Sequence, residues 1–229
     1  MTDENHIDFS LVLASSIHDM KNSLSMLLHS LDQMYGNKKP KNEDEANGLA
    51  VLHYEASRVN NDLIQLLGLY RLQKNQLPLF TDEHFVYDLL EEQVVKNNVL
   101  LTSRDITATI DCDDAFSWYF DHDLLAGVIN NMLVNAIRYT KNQVKLSAAM
   151  ENDHLVIKVA DNGTGYPELM LKDPMGHMKG IDFHSGSTSL GLYFAGEAAK
   201  LHKRDGFHGN IHLENGGELK GGIFQITIP

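Results

Sequence analysis

The sequence predicts two architectures in series: an all-α helical hairpin over residues 1–77 and a two-layer α+β domain with a mostly antiparallel sheet over 78–229. Three observations predict this. Apolar residues recur at spacings of three and four from Leu13 to Tyr70; the pattern stops at Pro78; and beyond it helical stretches mix with runs that alternate in period two. With 229 residues, 43% of them hydrophobic, the chain is long enough to bury two cores.

The first stripe runs Leu13, Ile17, Met20, Leu24, Leu27 or Leu28, Leu31 and Met34, one buried side of a helix. It should end near "YGNKKP", where Gly36 and Asn37 can cap and Pro40 forbids continuation. The second stripe, Leu49, Leu52, Ala56, Val59, Leu63, Leu66 and Tyr70, alternates three and four without a break, which is a coiled-coil seam. A lone hairpin covers one side of each helix only, so pairing with a second copy into a four-helix bundle, a homodimer, is expected. After the boundary, helices are expected over Phe85–Val95, Asp123–Tyr139 and Leu190–Leu201. Val144–Met150 and Leu155–Ala160 flank a polar "ENDH" turn and read as a β-hairpin. The terminal "GGELKGGIFQITIP" alternates Ile223, Gln225, Thr227 with Phe224, Ile226, Ile228, as a half-buried strand does.

Charge and cysteine content exclude several function classes. Lys and Arg number 19 against 31 Asp and Glu, a formal charge of −12 that repels nucleic acid and anionic membrane surfaces. Cys112 is the only cysteine, which excludes an internal disulfide and a cysteine metal cage. No run approaches the roughly 20 apolar residues that span a bilayer, and the acidic start "MTDENHIDFS" is unlike a secretory signal. A cytoplasmic protein with protein or small-molecule partners is expected.

Three polar or glycine-rich clusters follow in the second half. Asn131 and Asn135 are four apart and share one helix face, with Arg138 and Tyr139 at that helix's end. "VADNGTGYP" runs an apolar strand into Asp161, Asn162, Gly163, Thr164 and Gly165. "SGSTSLGLYFAGEAAK" sets a Gly/Ser segment directly before a helix, whose first N–H groups suit an anion such as a polyphosphate. The pair "HGNIH" places His208 and His212 four apart in a strand context, with no third ligand in view for a metal.

In this order the clusters resemble the catalytic domain of sensor histidine kinases, part of a wider ATP-binding family with Hsp90, MutL and gyrase. "NNMLVNAIRYT" resembles the family's asparagine box, "DNGTGYP" its first glycine box, "GSTSLGL" its second, and "GGIFQITIP" its closing strand. The resemblance implies that the second domain binds ATP. Asn135 then ligates the Mg²⁺ that bridges the phosphates, with Asn131 beside it. Asp161 accepts from the adenine amino group, Gly163 and Gly165 let the backbone approach the nucleotide, and Gly191 and Leu192 belong to the second glycine box. Arg138 stands where a phosphate-contacting lysine is usual and Tyr139 where an aromatic residue flanks the adenine. These roles are chemically coherent: a carboxylate facing an exocyclic amine selects adenine over guanine, and a neutral carboxamide suits Mg²⁺ where phosphates supply the charge.

The stretch "HDMKN" resembles the family's phosphoacceptor box. His18 is then the nucleophile, Asp19 its hydrogen-bonding partner and general base, and Asn22, one turn on, a residue that orients water. The implied protein is a soluble, dimeric histidine kinase that passes the phosphoryl group to an aspartate of a response-regulator receiver domain and doubles as that partner's phosphatase; its signal is expected from a separate sensor protein or through the short acidic N-terminus. The sequence departs from the family at two places: no phenylalanine box is recognisable in "ELMLKDPMGHMKGIDFHSGST", and Ser189 replaces a usual glycine. Two rivals stay open: a dimeric phosphotransfer or adaptor protein whose second domain only docks partners, and a serine kinase of the anti-sigma type, which lacks a histidine-bearing hairpin.

Overall fold

The stripe from Leu13 forms helix α1, Phe9–Asn37, and the stripe from Leu49 forms α2, Glu43–Gln73. This computed structural model describes residues 9–37, 43–74, 77–174 and 188–229; Pro40 and residues 175–187 of the segment in which the phenylalanine box is expected lie outside them. The chain divides into two units, Met1–Leu77 and Pro78–Pro229. In the first, α1 packs on α2. Five linking residues reach roughly 20 Å at most, less than half of the roughly 44 Å length of α1, so the two helices can lie side by side only antiparallel.

Each stripe splits into two registers with residues seven apart. On α1, Ile17 and Leu31 are buried and Leu24 half-buried, whereas Met20 and Leu27 are exposed. On α2, Ala56, Leu63 and Tyr70 are half-buried, whereas Leu52, Val59 and Leu66 are exposed. A seam of alternating threes and fours holds both the a and d positions of a heptad, and one helix neighbour covers only one of them. Leu28, half-buried, takes the inward place that the spacing left open between Leu27 and Leu28.

The second unit begins with β1, Asp82–Phe85, then α3, Val86–Lys96, α4, Asn98–Ser103, and β2, Thr107–Asp111. Next come β3, Ser117–Phe120, α5, His122–Tyr139, β4, Gln143–Glu151, and β5, His154–Asp161. The remainder is α6, Glu168–Lys172; α7, Thr188–Leu201; β6, Lys203–Arg204; β7, Phe207–His208; β8, Asn210–Gly216; and β9, Gly221–Ile228. A five-stranded sheet runs β2-β4-β5-β9-β8, while β1-β3 and β6-β7 form small antiparallel ribbons. Within the large sheet β2 and β4 are parallel, joined by the long crossover through α5, and all other neighbours are antiparallel. The sheet is therefore mixed and mostly antiparallel.

One face of the sheet carries Val144 and Leu146, then Leu155, Ile157 and Val159, then Phe224, Ile226 and Ile228, all buried. Leu89 and Leu90 of α3, Leu125, Ile129, Leu133 and Ile137 of α5, and Ala195 and Ala199 of α7 are buried in the helical layer that packs on these strands. Two layers and one core result. The strand period has a consequence for function: Asp161 continues the inward series Leu155, Ile157, Val159, so it carries a carboxylate to the edge of the core. Among the described residues no helix is long and apolar enough to cross a membrane.

Candidate functional site

Asp161 is buried, and its Oδ1 accepts hydrogen bonds from the backbone N–H of Gly163 at 2.6 Å and of Gly222 at 3.4 Å. Burial pushes its pKa above the usual carboxylate value, and the two N–H groups oppose that rise. Both of these donors fall on Oδ1. The second oxygen, Oδ2, lies beside Gly222 and the ring of Tyr166. The arrangement is a fixed acceptor at the mouth of a strand, with Oδ1 anchored by backbone N–H groups and Oδ2 without a hydrogen bond among the described residues.

On α5 the helical period turns Asn130, Asn131 and Asn135 inward in different ways. Asn130 is buried and satisfied: its Oδ1 accepts from Asn97 Nδ2 at 2.8 Å, tying α5 to the end of α3. Asn131 and Asn135 are one turn apart, and the Nδ2 of each is buried with no hydrogen-bond partner among the described residues. A buried amide donor without an acceptor costs about 1–3 kcal/mol. Two of them on one face point to an acceptor-rich ligand, and a carboxamide that donates to a phosphate oxygen through Nδ2 offers Oδ1 to a cation. The residues present therefore fit a magnesium-bound polyphosphate.

Gly191, in the first turn of α7, packs directly on Asn131: a Cβ built there would collide with the Asn131 side chain. Its lack of a side chain lets α7 close on α5. Leu192 is buried in the core. The side chain of Ser189 lies outside the described residues. At the other end of α5, the Arg138 guanidinium lies over the exposed ring of Tyr139, 5.3 Å from its centroid. Gly163 lies against the Tyr139 carbonyl, and Gly165 has φ +79° with the Asn215 side chain against its α-carbon. Both glycines are thus required by neighbouring protein atoms.

In the hairpin unit, His18 is exposed on α1. Its Nδ1 lies 3.3 Å from Asn22 Nδ2 and 3.5 Å from Asp19 Oδ1. Asp19 turns its carboxylate toward the ring, at a separation longer than a good hydrogen bond. Both neighbours face Nδ1, so neither occupies Nε2. His208 and His212 belong to different sheets, β7 and β8, and share no strand face.

Sequence reasoning passed over three positioning residues. Asn162 Oδ1 accepts from Thr140 Oγ1 at 2.7 Å and from the N–H groups of Lys141, Asn142 and Gln143, each at 3.1 Å, which binds the Asp161 turn to the α5–β4 loop. Asn215 binds the backbone of Tyr166 twice. His202 is buried; its Nδ1 donates to Ala198 O at 2.9 Å and its Nε2 accepts the Asp121 N–H at 3.1 Å. Asp121 in turn caps α5 through Leu124 N–H and accepts from Phe80 N–H. Only Asn162 carried a local signal, an Asn inside a turn. The others act across gaps of 49 and 81 residues, which no local pattern reports.

The family described as histidine kinase-, DNA gyrase B-, and HSP90-like ATPase matches residues 120–229. The chain is 24% identical over 223 residues to "Histidine kinase P4" of Formosa agariphila, covering 93% of this chain and 16% of that protein. It is 22% identical to "Sensor protein SrrB" of Staphylococcus aureus over an alignment covering 100% of this chain and 40% of that protein. The chain therefore spans less than half the length of these relatives. Among solved structures, Acinetobacter baumannii histidine kinase AdeS aligns with TM-score 0.59 and 21% identity over 90% of this chain and 95% of that one. Full-length ShkA in complex with AMPPNP aligns with TM-score 0.64 and 18% identity over 95% of this chain and 45% of that one. At these identities the structures share the fold.

Proposed function

We propose that the chain is a sensor histidine kinase with a catalytic ATP-binding domain and that it phosphorylates its own His18 from Mg·ATP. The observation that carries this reading is the pair of orphaned buried amides, Asn131 and Asn135, on a helix of the ATP-binding domain. A triphosphate supplies the missing acceptors, and Asn135 Oδ1 supplies one oxygen ligand to Mg²⁺. Asp161 Oδ2 takes the adenine amine, Arg138 the phosphate charge, and Tyr139 the edge of the base.

In the transfer step, the lone pair of His18 Nε2 attacks the γ-phosphorus, a P–N bond forms and the P–O bond to ADP breaks. The proton on Nδ1 passes to Asp19, leaving a phosphohistidine whose ring is neutral and whose phosphoryl oxygens carry the negative charge. The phosphoryl group then moves to an aspartate of a receiver domain, and Asn22 orients water for its later hydrolysis. A second copy of the chain is proposed to cover the exposed register of Met20, Leu27, Leu52, Val59 and Leu66, which makes the hairpin a four-helix bundle.

Gamma-labelled ATP tests the reading. Wild type should acquire acid-labile, base-stable label; His18→Gln should acquire none while binding ATP as before. Asn135→Ala should weaken binding chiefly when Mg²⁺ is present. Label retained in His18→Gln, or an ATP affinity that is indifferent to Asn135, would overturn it.

A further inference from the structure

We propose that Asn215, far from Asp161 in sequence, is a positioning residue for recognition of the base, because its carboxamide holds Tyr166 beside Asp161. The inference rests on the proposed role of Asp161 as acceptor of the adenine amine.

The residues after Asp161 leave the sheet and turn through Gly163 and Gly165 toward α6, with no strand partner of their own. Asn215, near the end of β8, supplies one. Its Oδ1 accepts the Tyr166 N–H at 2.7 Å and its Nδ2 donates to the Tyr166 carbonyl at 2.8 Å. One side chain thereby reproduces the paired donor and acceptor of an antiparallel strand neighbour. The clamp explains Gly165 as well: its φ is +79°, and a Cβ there would stand 2.6 Å from Asn215 Oδ1.

Tyr166 is what the clamp aims. A Cβ placed on Gly222 would lie 3.0 Å from Tyr166 Cε2 and 3.1 Å from Asp161 Oδ2, so the ring and the free carboxylate oxygen share one small space. Burial, and secondarily the Asp161 charge, raise the pKa of the Tyr166 hydroxyl, in keeping with a ring lodged against that carboxylate. Fixing the Tyr166 backbone therefore fixes one wall of the space in which Oδ2 meets its ligand. A loose wall would admit water to Oδ2 and blunt its discrimination between an amine and a carbonyl.

The experiment is titration calorimetry of the full chain with ATP and with GTP, on wild type, Asn215→Ala, Asn215→Asp, Gly165→Ala and Asp161→Ala. Asn215→Ala should weaken ATP about tenfold and GTP much less, the cost of a hydrogen-bonded arrangement lost on one ligand. Asn215→Asp should do the same, since a carboxylate cannot donate to the Tyr166 carbonyl. Gly165→Ala should reproduce the loss by displacing Asn215. Amide hydrogen exchange should be faster at Tyr166 in Asn215→Ala and Gly165→Ala, which remove or displace the acceptor of its N–H, a readout independent of nucleotide. An unchanged ratio of ATP to GTP affinity in the Asn215 variants, or equal weakening of both nucleotides, overturns the inference while Asp161→Ala still loses ATP preference. If Asp161→Ala keeps wild-type preference, the acceptor role itself fails and the inference falls with it.

Discussion

The two units solve the burial problem differently. In Pro78–Pro229, helices α3, α5 and α7 cover one sheet face so fully that Leu89, Leu133, Leu146 and Ile157 have no exposure at all. In Met1–Leu77, helices of 29 and 31 residues bury one heptad register and leave the other open, with Val59 at 41% and Leu52 at 53% exposure. A sheet presents a broad face that three helices can roof; a helix presents a stripe, and two helices cannot enclose each other's second stripe. The second unit closes its own core, whereas the hairpin leaves one apolar register uncovered in the single chain.

Core truncation should break the contrast most visibly. Leu133→Ala, at a site without exposure, should destabilise the second unit by about 2–5 kcal/mol, independently of protein concentration, and leave the far-ultraviolet signal of the hairpin intact. Loss of both transitions together would mean that the units do not melt separately.

A smaller effect belongs to the open register. Leu66 is already partly covered in the single chain, so Leu66→Ala should cost about 1 kcal/mol per protomer and should lower the association constant in sedimentation equilibrium. A concentration-independent effect of the same size would assign Leu66 to packing within one hairpin and refute the covering copy.

The smallest expected effect sharpens the comparison from the side of the second unit. Burial lowers the pKa of His202 below its ordinary 6.5, opposed by the Ala198 carbonyl and by Asp121. The unfolded chain then binds a proton that the folded ring refuses, so this histidine costs stability as pH falls through and below 6.5. Protonation also removes the acceptor for the Asp121 N–H, loosening α7 from the α5 cap. Melting curves between pH 7.5 and roughly 5 should show a steeper decline for wild type than for His202→Gln, whose absolute stability at pH 7.5 should be lower. Parallel curves would remove His202 as a source of the pH dependence.

Much of the fold was legible because it rests on periodicity. The three-and-four stripes became α1 and α2, the helical stretch through Asn131 became α5, and the alternation in "GGIFQITIP" became β9. The short elements were not legible: β1, β2 and β3 have four or five residues each, and each pairs with a strand that is not its neighbour in sequence. The parallel pairing of β2 with β4 is a property of the crossover between them and leaves no mark in either strand. The glycine boxes were visible as glycines, but the reasons for them were not. Gly191 is small because Asn131 approaches it, and Gly165 because Asn215 does.

By itself the sequence determined which residues are chemically able to serve: a histidine with an acid and an amide within one helical turn, two asparagines on one helix face, and an aspartate that ends an apolar strand. These follow from spacing, and spacing is a local quantity. The tertiary structure alone decided which of them are left wanting a ligand. Asn130 and Asn131 are adjacent and identical, yet one is satisfied by Asn97 and the Nδ2 of the other has no partner among the described residues, because what satisfies a buried polar group is its neighbour in space.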